Sequence, residues 1–358
     1  MVSSSTIPKS VVFEAPLQHW AALQLQQLAW LKKANISPSA WQMLSGDAGF
    51  RRYARIYLDG DSPVKSVLAV FSPPDTENNQ AFVDIDRFLR QHKVRAPEIL
   101  SQSDDQGFFL IEDFGETLLL ERLNSDSVDQ LYGDALSALR GIQQCPLNAL
   151  ALPSYDDSVL LTEMHLFDQW FAKLLGYTVS ESERAMLEQT FQDLSQSACE
   201  QPKVLVHRDY HSRNLVVCSD GGLGIIDFQD AVIGPVTYDL VSLLRDCYIC
   251  WPDEQVERWA LAYAKQARDG GWIDNVEDEV FLRWFDWMGL QRHIKVLGIF
   301  ARLSLRDGKH AYLNDLPLVI DYVRRVASRY PRLEGFSCWF EAVIVPLAQQ
   351  KNWMKTEL

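Results

Sequence analysis

The sequence contains no stretch that approaches the ~20 consecutive apolar residues of a membrane-spanning helix. Basic residues are also in deficit, because 34 Lys and Arg stand against 48 Asp and Glu and give a formal net charge of −14. Affinity for nucleic acids and for anionic membranes comes largely from Lys and Arg at phosphates. The composition therefore argues against a nucleic-acid partner and against binding to a membrane surface.

Cysteine is scarce, with six residues scattered over the chain. Cys247 and Cys250 form a C-x-x-C pair inside a helical pattern, but neither a second pair nor a nearby His accompanies them in the sequence. Buried free thiols are therefore expected rather than a metal or redox site. The first six residues also lack the basic region and the apolar core of a signal peptide. These absences predict a cytoplasmic protein.

Two short motifs carry the chemistry of the chain. In the first, an apolar run leads into His207, Arg208 and Asp209, and Asn214 follows five positions after the aspartate. In the second, a Ser-Asp-Gly-Gly hairpin signal and another apolar run precede Asp227 and a phenylalanine. Protein kinases combine H-R-D-x-x-x-x-N and D-F-G in this order. Phosphoryl transfer needs a carboxylate that takes up the proton of the acceptor hydroxyl, and oxygen ligands for magnesium. The combination, unlike an isolated H-R-D tripeptide, predicts a phosphotransferase.

The order of the predicted elements indicates two lobes. Periodicity in the first third of the chain predicts two helices and three strands, at about 14–40 and 79–92 and at 50–58, 64–71 and 108–113. After residue 118 helices dominate, interrupted only by a strand-loop-strand unit at 204–227. We therefore predict an α+β, bilobal protein-kinase-like fold. Its small β-rich N-terminal lobe (1–116) would bind nucleotide, and its larger, mostly helical C-terminal lobe (117–358) would hold the catalytic and substrate-binding residues.

The first lobe has a candidate phosphate-binding loop. Ser45, Gly46 and Gly49 precede the first predicted strand, where backbone N–H groups could approach phosphates. A plain hairpin turn explains these residues equally well. Arg51 and Arg52 follow, and one of two adjacent strand residues must face the cleft, where a guanidinium could bind β- or γ-phosphate oxygens.

The strand lysine of kinases is missing. Alignment on the kinase pattern V-A-I-K places Phe71 at the lysine position. The helix that follows offers Asp84 and Asp86 rather than a glutamate partner. Either the loop arginines take over the charge of the lysine, or the protein binds nucleotide poorly. We favour the first interpretation, because the acidic residues and the asparagine of both catalytic motifs are intact.

With these residues in place, the sequence resembles the aminoglycoside phosphotransferase and choline kinase superfamily. Within it, the chain resembles the bacterial anomeric kinases that phosphorylate N-acetylmuramate and N-acetylglucosamine at C1 in cell-wall sugar recycling. The resembling segments span most of the chain, at 45–55, 153–157, 203–214, 224–231, 234–240 and 288–302.

The resemblance implies roles for individual residues. Asp209 matches the catalytic base, and Asn214 and Asp227 match magnesium ligands. The stretch from Glu112 to Phe114 matches the hinge that binds adenine through backbone groups. ATP and Mg²⁺ are therefore the expected cofactors.

His207 and Asp239 match structural positions of the superfamily. The resemblance implies that Asp239 starts a helix and braces the catalytic loop by accepting backbone hydrogen bonds. An acidic residue in this region could otherwise pass for a third metal ligand.

Candidate sugar-binding residues lie in the second lobe. Glu163, Phe167 and Trp170 are spaced to share one helix face, and a carboxylate beside two aromatic rings suits a sugar pocket. Aromatic residues at this spacing are more often core. Asp230, three residues after Asp227, is a second candidate, with an exposed turn as the alternative.

A polar group interrupts an apolar helix predicted at 281–303. It consists of Gln291, Arg292, His293 and Lys295, and apolar neighbours surround it on nearly all sides. A solvated helix face is the common interpretation of such a group, and a buried pocket wall is the alternative. In a pocket wall, Arg292 could bind a lactyl carboxylate or a phosphate, and His293 a hydroxyl.

We therefore expect an ATP- and Mg²⁺-dependent kinase of the anomeric hydroxyl of both N-acetyl sugars, with a small-molecule sugar as its partner and no obligate protein partner. Three alternatives remain. The first is another acceptor, such as an aminoglycoside, choline, a homoserine-like molecule or a different sugar. The second is a protein kinase, which the missing A-P-E motif and the Phe-Gln after Asp227 disfavour. The third is a nucleotide-binding regulatory pseudokinase, suggested by the missing lysine.

Overall fold

The computed structural model describes residues 11–28, 38–44, 49–58 and 64–355. Contacts divide the chain into two compact units, the first made of Met1–Leu118 and Leu215–Asp230 and the second of Leu119–Asn214 and Ala231–Leu358. The segment Leu215–Asp230, which the predicted boundaries assign to the C-terminal lobe, thus clusters with the first unit. Among the described residues, no helix is both long and apolar enough to cross a membrane.

The first unit is built on a five-stranded antiparallel sheet with the order β1-β2-β3-β5-β4. The strands are β1 (Pro38–Met43), β2 (Arg52–Leu58), β3 (Ser66–Phe71), β4 (Ile99–Ser103) and β5 (Phe108–Glu112). In the central strands, Ala54 lies opposite Ala69, and Ala69 opposite Leu110. The three predicted strands and the predicted α+β fold class are confirmed.

Helices cover both faces of this sheet, α1 (Val11–Gln27) and α2 (Asn79–Gln91). Alternate residues of a strand point to opposite faces. On one face, buried apolar residues of α1 and of the strands form a single core cluster: Leu17, Ala21, Leu25, Ile56, Leu58, Val67, Ala69, Phe108 and Leu110. On α2, the Phe82 ring contacts Phe109 edge-on at 5.5 Å between centroids.

The predicted leading helix at about 14–40 is wrong at its C-terminal end. Residues 38–43 form strand β1, and residues 29–37 lie outside the described part of the chain. Trp41 and Met43 are half-buried and alternate with exposed Ala40 and Gln42, which is the period of a strand rather than a helix. Strand β4 was also not predicted, because all five of its residues are only half-buried and its sequence is largely polar.

A second piece of chain completes the first unit. Strands β6 (Lys203–Val206) and β9 (Val232–Pro235) pair in the second unit, whereas β7 (Leu215–Val217) and β8 (Leu223–Ile225) pair as a hairpin in the first. The Phe114 ring packs against Gly224, where a side-chain Cβ would come within 2.2 Å of the ring. Glycine is therefore required for this close approach.

The second unit is mostly helical. Its helices are α3 (Leu119–Arg122), α4 (Val128–Gln143), α5 (Asp157–Met164), α6 (Ala172–Leu175), α7 (Glu181–Cys199), α8 (Tyr238–Leu244), α9 (Asp253–Asp269), α10 (Asp278–Asp307), α11 (Leu316–Ala327), α12 (Glu334–Trp339) and α13 (Val345–Gln349). Short π-helical turns occupy Phe167–Phe171 and Phe340–Ile344, and 3-10 turns occupy His310–Asp315, Pro331–Leu333 and Asn352–Lys355. Strand β9, which follows the predicted strand-loop-strand unit, was not predicted.

The 30-residue helix α10 runs through this unit and packs against α5, α7, α8, α9 and α11. At Gly298 the helix passes so close to the Leu166 backbone that a Cβ would approach its carbonyl carbon within 2.4 Å. The C-x-x-C pair lies beyond the end of α8 in a turn, not in the predicted helix. Its Cys247 is buried and its Cys250 exposed, both as free thiols.

Candidate active site

One buried carboxylate fixes the start of the catalytic loop, where the chain leaves strand β6. Asp239, in the first turn of α8, accepts hydrogen bonds from the backbone N–H groups of His207 at 2.6 Å and of Arg208 at 3.0 Å. Arg208 has a φ of 75°, in the left-handed region that non-glycine residues rarely adopt. Burial raises the pKa of Asp239 to about 7, although the two backbone bonds act in the opposite direction. Asp239 therefore fixes the backbone immediately before Asp209.

Asp209 is half-buried and lies among positive charges. Burial alone would raise the pKa of its carboxyl group, but the charges of Lys295, His211 and Arg292 lower it below the ordinary value. The carboxylate is therefore ionised at neutral pH. An ionised carboxylate can accept a proton from a hydroxyl group, which is the task of a general base.

The rest of the loop is held by side-chain bonds. The Asn214 amide nitrogen donates to the backbone carbonyl of Asp209 at 2.9 Å. The backbone N–H of Ser212 donates to the buried carboxylate of Asp246 at 2.9 Å. The Asn214 side chain is thereby anchored to the backbone of the catalytic loop.

Asp227 follows strand β8 in the first unit and is exposed. Its φ of 66° is again left-handed, and its Oδ1 accepts a hydrogen bond from Gln229 at 2.8 Å. The next residue, Phe228, stacks on Phe82 with ring centroids 5.3 Å apart. Asp230, a predicted sugar ligand, is exposed and ends the same segment. The aromatic stack thus fixes the chain beside Asp227.

The donor atoms of Asn214 and Asp227 suit magnesium rather than a softer metal. In the part of the chain that the structure describes, no group of three or more His, Cys, Asp or Glu side chains is arranged to hold a metal ion. Mg²⁺ is usually bound through one or two protein oxygens, with waters and substrate phosphates completing its shell. Asn214, in the second unit, and Asp227, in the first, each carry a side-chain oxygen of the kind that Mg²⁺ prefers.

Glu163, predicted to bind sugar, is committed to other protein groups. Its Oε1 lies 2.7 Å from Arg208 Nη2 and 3.0 Å from Lys295 Nζ. The hydroxyl group of Tyr155 donates to its other oxygen. Burial alone would raise the pKa of Glu163, but Lys295 and Arg208 together with the Tyr155 bond lower it. Glu163 therefore ties the residue before Asp209 to helix α10.

The predicted face of Glu163, Phe167 and Trp170 does not form. Helix α5 ends at Met164, and both aromatic residues lie in the π-helical turn that follows. Phe167 is fully buried among other rings, including Trp339 at 6.1 Å between centroids. The interpretation of Phe167 as core, left open by the sequence, is the one that the structure supports.

The polar group of α10, which consists of Gln291, Arg292, His293 and Lys295, is buried and does not form a solvated helix face. Arg292 Nη2 donates to Ser242 Oγ at 2.5 Å. His293 Nε2 lies 3.1 Å from the Arg245 carbonyl oxygen, and its ring stacks on Tyr322 at 4.6 Å. Burial lowers the pKa of His293 to about 3, so that its ring is neutral at physiological pH.

In the first unit, Arg51 has the carboxylate partner that the predicted α2 helix did not offer. Its Nη2 lies 3.3 Å from Glu77, in the turn before α2, and its Nε donates to Ser72 Oγ at 3.1 Å. The guanidinium carbon also lies 5.2 Å from the centre of the Phe82 ring. Arg51 is thereby held in one orientation on the α2 side of the sheet.

The remaining loop residues are only partly described. Arg52 donates to the backbone carbonyls of Gly49 at 3.0 Å and of Arg51 at 2.8 Å. Ser45 and Gly46 lie outside the described residues. Phe71, aligned with the kinase lysine, packs in the core with α1 and contacts Phe108 edge-on at 5.9 Å. A side chain at position 71 therefore belongs to the face opposite α2.

The predicted hinge is braced from strand β2. Arg55 Nε donates to Asp113 Oδ2 at 2.5 Å and its Nη2 to Asp113 Oδ1 at 3.0 Å, a bidentate ion pair. The Glu112 carboxylate accepts a hydrogen bond from the Glu98 backbone N–H at 3.1 Å. The Phe114 side chain is buried against the β7–β8 hairpin. These side chains are occupied within the protein, so hinge recognition would fall to backbone groups.

Sequence reasoning missed the residues that connect the site. Arg208 and Lys295 lay in recognised motifs without a role, Tyr155 lay in a resembling segment without a role, and Tyr238 precedes Asp239. These residues are close in space but not in sequence. Lys295 Nζ donates to the Tyr238 hydroxyl group at 2.9 Å, and the ring centroids of Tyr155 and Tyr238 lie 5.0 Å apart. An unexplained lysine inside an apolar helix was the available signal.

Known proteins resemble the chain in sequence and in fold. A model of the phosphotransferase enzyme family matches residues 40–275. An N-acetylmuramate/N-acetylglucosamine kinase of Pseudomonas putida is 41% identical over 332 residues, which cover 91% of this chain and 95% of the relative.

Two solved structures have a similar fold. An ethanolamine kinase of Plasmodium vivax superposes with a TM-score of 0.58 at 14% identity, covering 90% of each chain. An ADP-bound aminoglycoside phosphotransferase superposes with a TM-score of 0.54 at 15% identity, covering 86% of this chain and 97% of the other. At these identities the likeness concerns the fold.

Proposed function

The chain belongs to the phosphotransferase enzyme family, and from this membership we propose that it transfers the γ-phosphoryl group of ATP to the anomeric C1 hydroxyl of N-acetylmuramate and N-acetylglucosamine. The observation that supports the acceptor is the 41% identity, over most of both chains, to a kinase named for these two sugars. The proposed reaction would provide sugar phosphates for cell-wall recycling, and its need for ATP supports the proposal that the protein acts in the cytoplasm.

In the proposed reaction, Asp209 is the catalytic base. Its ionised carboxylate takes the proton of the C1 hydroxyl as the oxygen bonds to the γ-phosphorus and the bond from phosphorus to the ADP oxygen breaks. An anomeric hydroxyl is more acidic than an ordinary alcohol, so a carboxylate held ionised by neighbouring cations is a sufficient base. Asp239 positions the loop through the two backbone bonds.

Asn214 and Asp227 are the proposed Mg²⁺ ligands, through one amide oxygen and one carboxylate. The bound ion supplies charge neutralisation on the nucleotide phosphates. On the protein side, Gln229 and the Asp209 carbonyl hold these two side chains in place by hydrogen bonds of 2.8 and 2.9 Å.

Arg51 is the proposed substitute for the absent strand lysine. Its pairing with Glu77 gives it the fixed orientation that a lysine obtains from a glutamate partner. Ser45, Gly46, Gly49 and Arg52 would form the rest of the phosphate loop.

The remaining candidates concern the adenine and the sugar. Glu112 and Phe114 mark the proposed hinge. For the sugar, the residues to test remain Glu163, Asp230, Arg292 and His293.

The first test measures ADP release with N-acetylmuramate, N-acetylglucosamine, glucose, choline and kanamycin as acceptors. Asp209→Asn is compared with Asp269→Asn, which removes an exposed carboxylate at the end of α9. We expect turnover on the two N-acetyl sugars that Asp209→Asn abolishes and Asp269→Asn leaves unchanged. Phosphorus NMR of the product should show an acid-labile C1 phosphate. Turnover on choline or kanamycin alone would refute the proposed acceptor, and ATP binding without turnover would refute the proposed activity.

A further inference from the structure

Three positive side chains of the second unit surround a pair of tyrosines next to Asp209. We name Arg208, Arg292 and Lys295 the cation cluster. The Arg208 guanidinium carbon lies 5.6 Å from the centre of the Tyr155 ring. The Lys295 ammonium nitrogen and the Arg292 guanidinium carbon lie 5.6 and 5.9 Å from the centre of the Tyr238 ring. The cluster thus concentrates positive charge at one end of the catalytic loop.

Two of the three cations share one carboxylate, and the third has none. Glu163 contacts Arg208 at 2.7 Å and Lys295 at 3.0 Å. Within the described residues, no carboxylate oxygen lies within 4.0 Å of the Arg292 guanidinium. Its bond to Ser242 is to a neutral hydroxyl, and its buried Nε has no hydrogen-bond partner. Arg292 therefore carries a charge that the protein does not neutralise by contact.

A buried, unpaired guanidinium is costly unless an anion completes it. Arg292 is only 6% exposed, as is Lys295, but neither is sealed, and the Arg208 side chain remains 26% exposed. Solvent therefore reaches the cluster at the Arg208 side chain. Asp209 and Asp246 act on Arg292 electrostatically without contacting it.

We propose that Arg292 is a specificity-determining residue that binds a carboxylate of the acceptor, so that the enzyme favours an acidic amino sugar over a neutral one. The inference rests on the proposed function and names the substrate class for the same site. One guanidinium that has no carboxylate partner among the described residues matches a single carboxylate of the ligand. A phosphate carries more charge and would need the cations that Glu163 already engages.

The test compares Arg292→Met and Arg292→Lys with wild type on N-acetylmuramate, which has a carboxylate, and on N-acetylglucosamine, which does not. We expect Arg292→Met to lose about 10- to 100-fold in kcat/KM on N-acetylmuramate, mainly through KM, because it loses a charge-assisted bond. The loss of kcat/KM on N-acetylglucosamine should be clearly smaller than that on N-acetylmuramate, and Arg292→Lys should recover part of the difference. Because both sugars use the same base, any effect of Arg292 on Asp209 cancels in the ratio of kcat/KM on N-acetylmuramate to kcat/KM on N-acetylglucosamine.

Arg306→Met is the matched control, because it removes an exposed guanidinium from the same helix, where Arg306 pairs with the adjacent Asp307. It should leave both sugars unaffected. Equal losses of Arg292→Met on both sugars, with the fold intact by circular dichroism, would assign Arg292 a general structural role and overturn the proposal. No loss on either sugar would overturn it as well.

Calorimetric binding of N-acetylmuramate and of its carboxamide separates this inference from the proposed function. A wild-type protein that turns over neither sugar refutes the proposed function. In that case tighter binding of the acid than of the carboxamide, present in wild type and lost in Arg292→Met, still supports the carboxylate site. Equal binding of both compounds by wild type overturns it.

Discussion

Glu163 forms a bridge between Arg208 and Lys295. We expect loss of this bridge to lower the stability of the protein, an effect that can be measured separately from sugar binding. At an effective dielectric constant of about 20, contacts of 2.7 and 3.0 Å each correspond to roughly 6 kcal/mol of Coulomb attraction. Desolvation offsets most of this attraction, and removing one partner of a buried pair costs about 3–5 kcal/mol. Because the Arg208 side chain is 26% exposed, water can partly solvate it once the carboxylate is gone. We therefore expect Glu163→Gln to lower the free energy of unfolding by about 3 kcal/mol.

Urea denaturation of Glu163→Gln, Lys295→Met and the double variant measures this bridge as a thermodynamic cycle. The double variant should be more stable than the sum of the two single losses predicts, by about 1–3 kcal/mol, because it leaves only one cation without its partner. Glu341→Gln, which breaks an exposed pair with Arg324, should cost at most about 1 kcal/mol. If Glu163→Gln left stability unchanged and raised only the KM for sugar, Glu163 would be a sugar ligand and the bridge argument would be wrong.

Three further predictions concern the supports of the site. Asp239→Asn has only one side-chain oxygen for two backbone donors, so it should lose about 1–3 kcal/mol in urea denaturation together with kcat; unchanged stability would contradict the bracing role. His293 has a folded-state pKa of about 3, below its ordinary value of 6.5, so its contribution to stability is complete above pH 6.5 and is lost as the pH falls toward 3. In His293→Gln the fall in unfolding free energy between pH 6.5 and 5 should be smaller by up to about 1.4 kcal/mol per pH unit, and an unchanged slope would refute its burial as a neutral ring. Arg55→Lys replaces a bidentate donor of Asp113 by a point charge, and it should raise the KM for ATP and lower the melting temperature. An unaltered KM would show that this brace does not act on the hinge.

The sequence was informative where a local pattern determines the structure. Strands β3 and β5 are apolar runs, and helix α2 carries an apolar face, so their sequences could be recognised. The edge strands β1 and β4 mix polar and apolar residues, and their pairing with neighbours is settled by contacts that no local window contains. The motif around Asp209 was located for the same reason as the central strands, because its residues follow one another within a single loop.

The supports of the site depend on contacts across the sequence, and these were not predictable. Glu163, Arg208 and Lys295 meet in space although well over a hundred positions separate the first from the last. Glu163 was recognised as a carboxylate among apolar residues, but its partners could not be named. Glu77 was overlooked because the expected partner was sought on α2 rather than in the turn before it.

The passage of Leu215–Asp230 through the first unit has a consequence for the order in which the protein can assemble during translation. Phe82 and Phe114 emerge from the ribosome early, but Phe228 and Gly224, against which they pack, follow only after all of Leu119–Asn214 has been made. Strand β6 likewise waits for β9. The first unit therefore stays incomplete until Asp230 has been synthesised, and a fragment that ends at Leu118 would lack part of its own core.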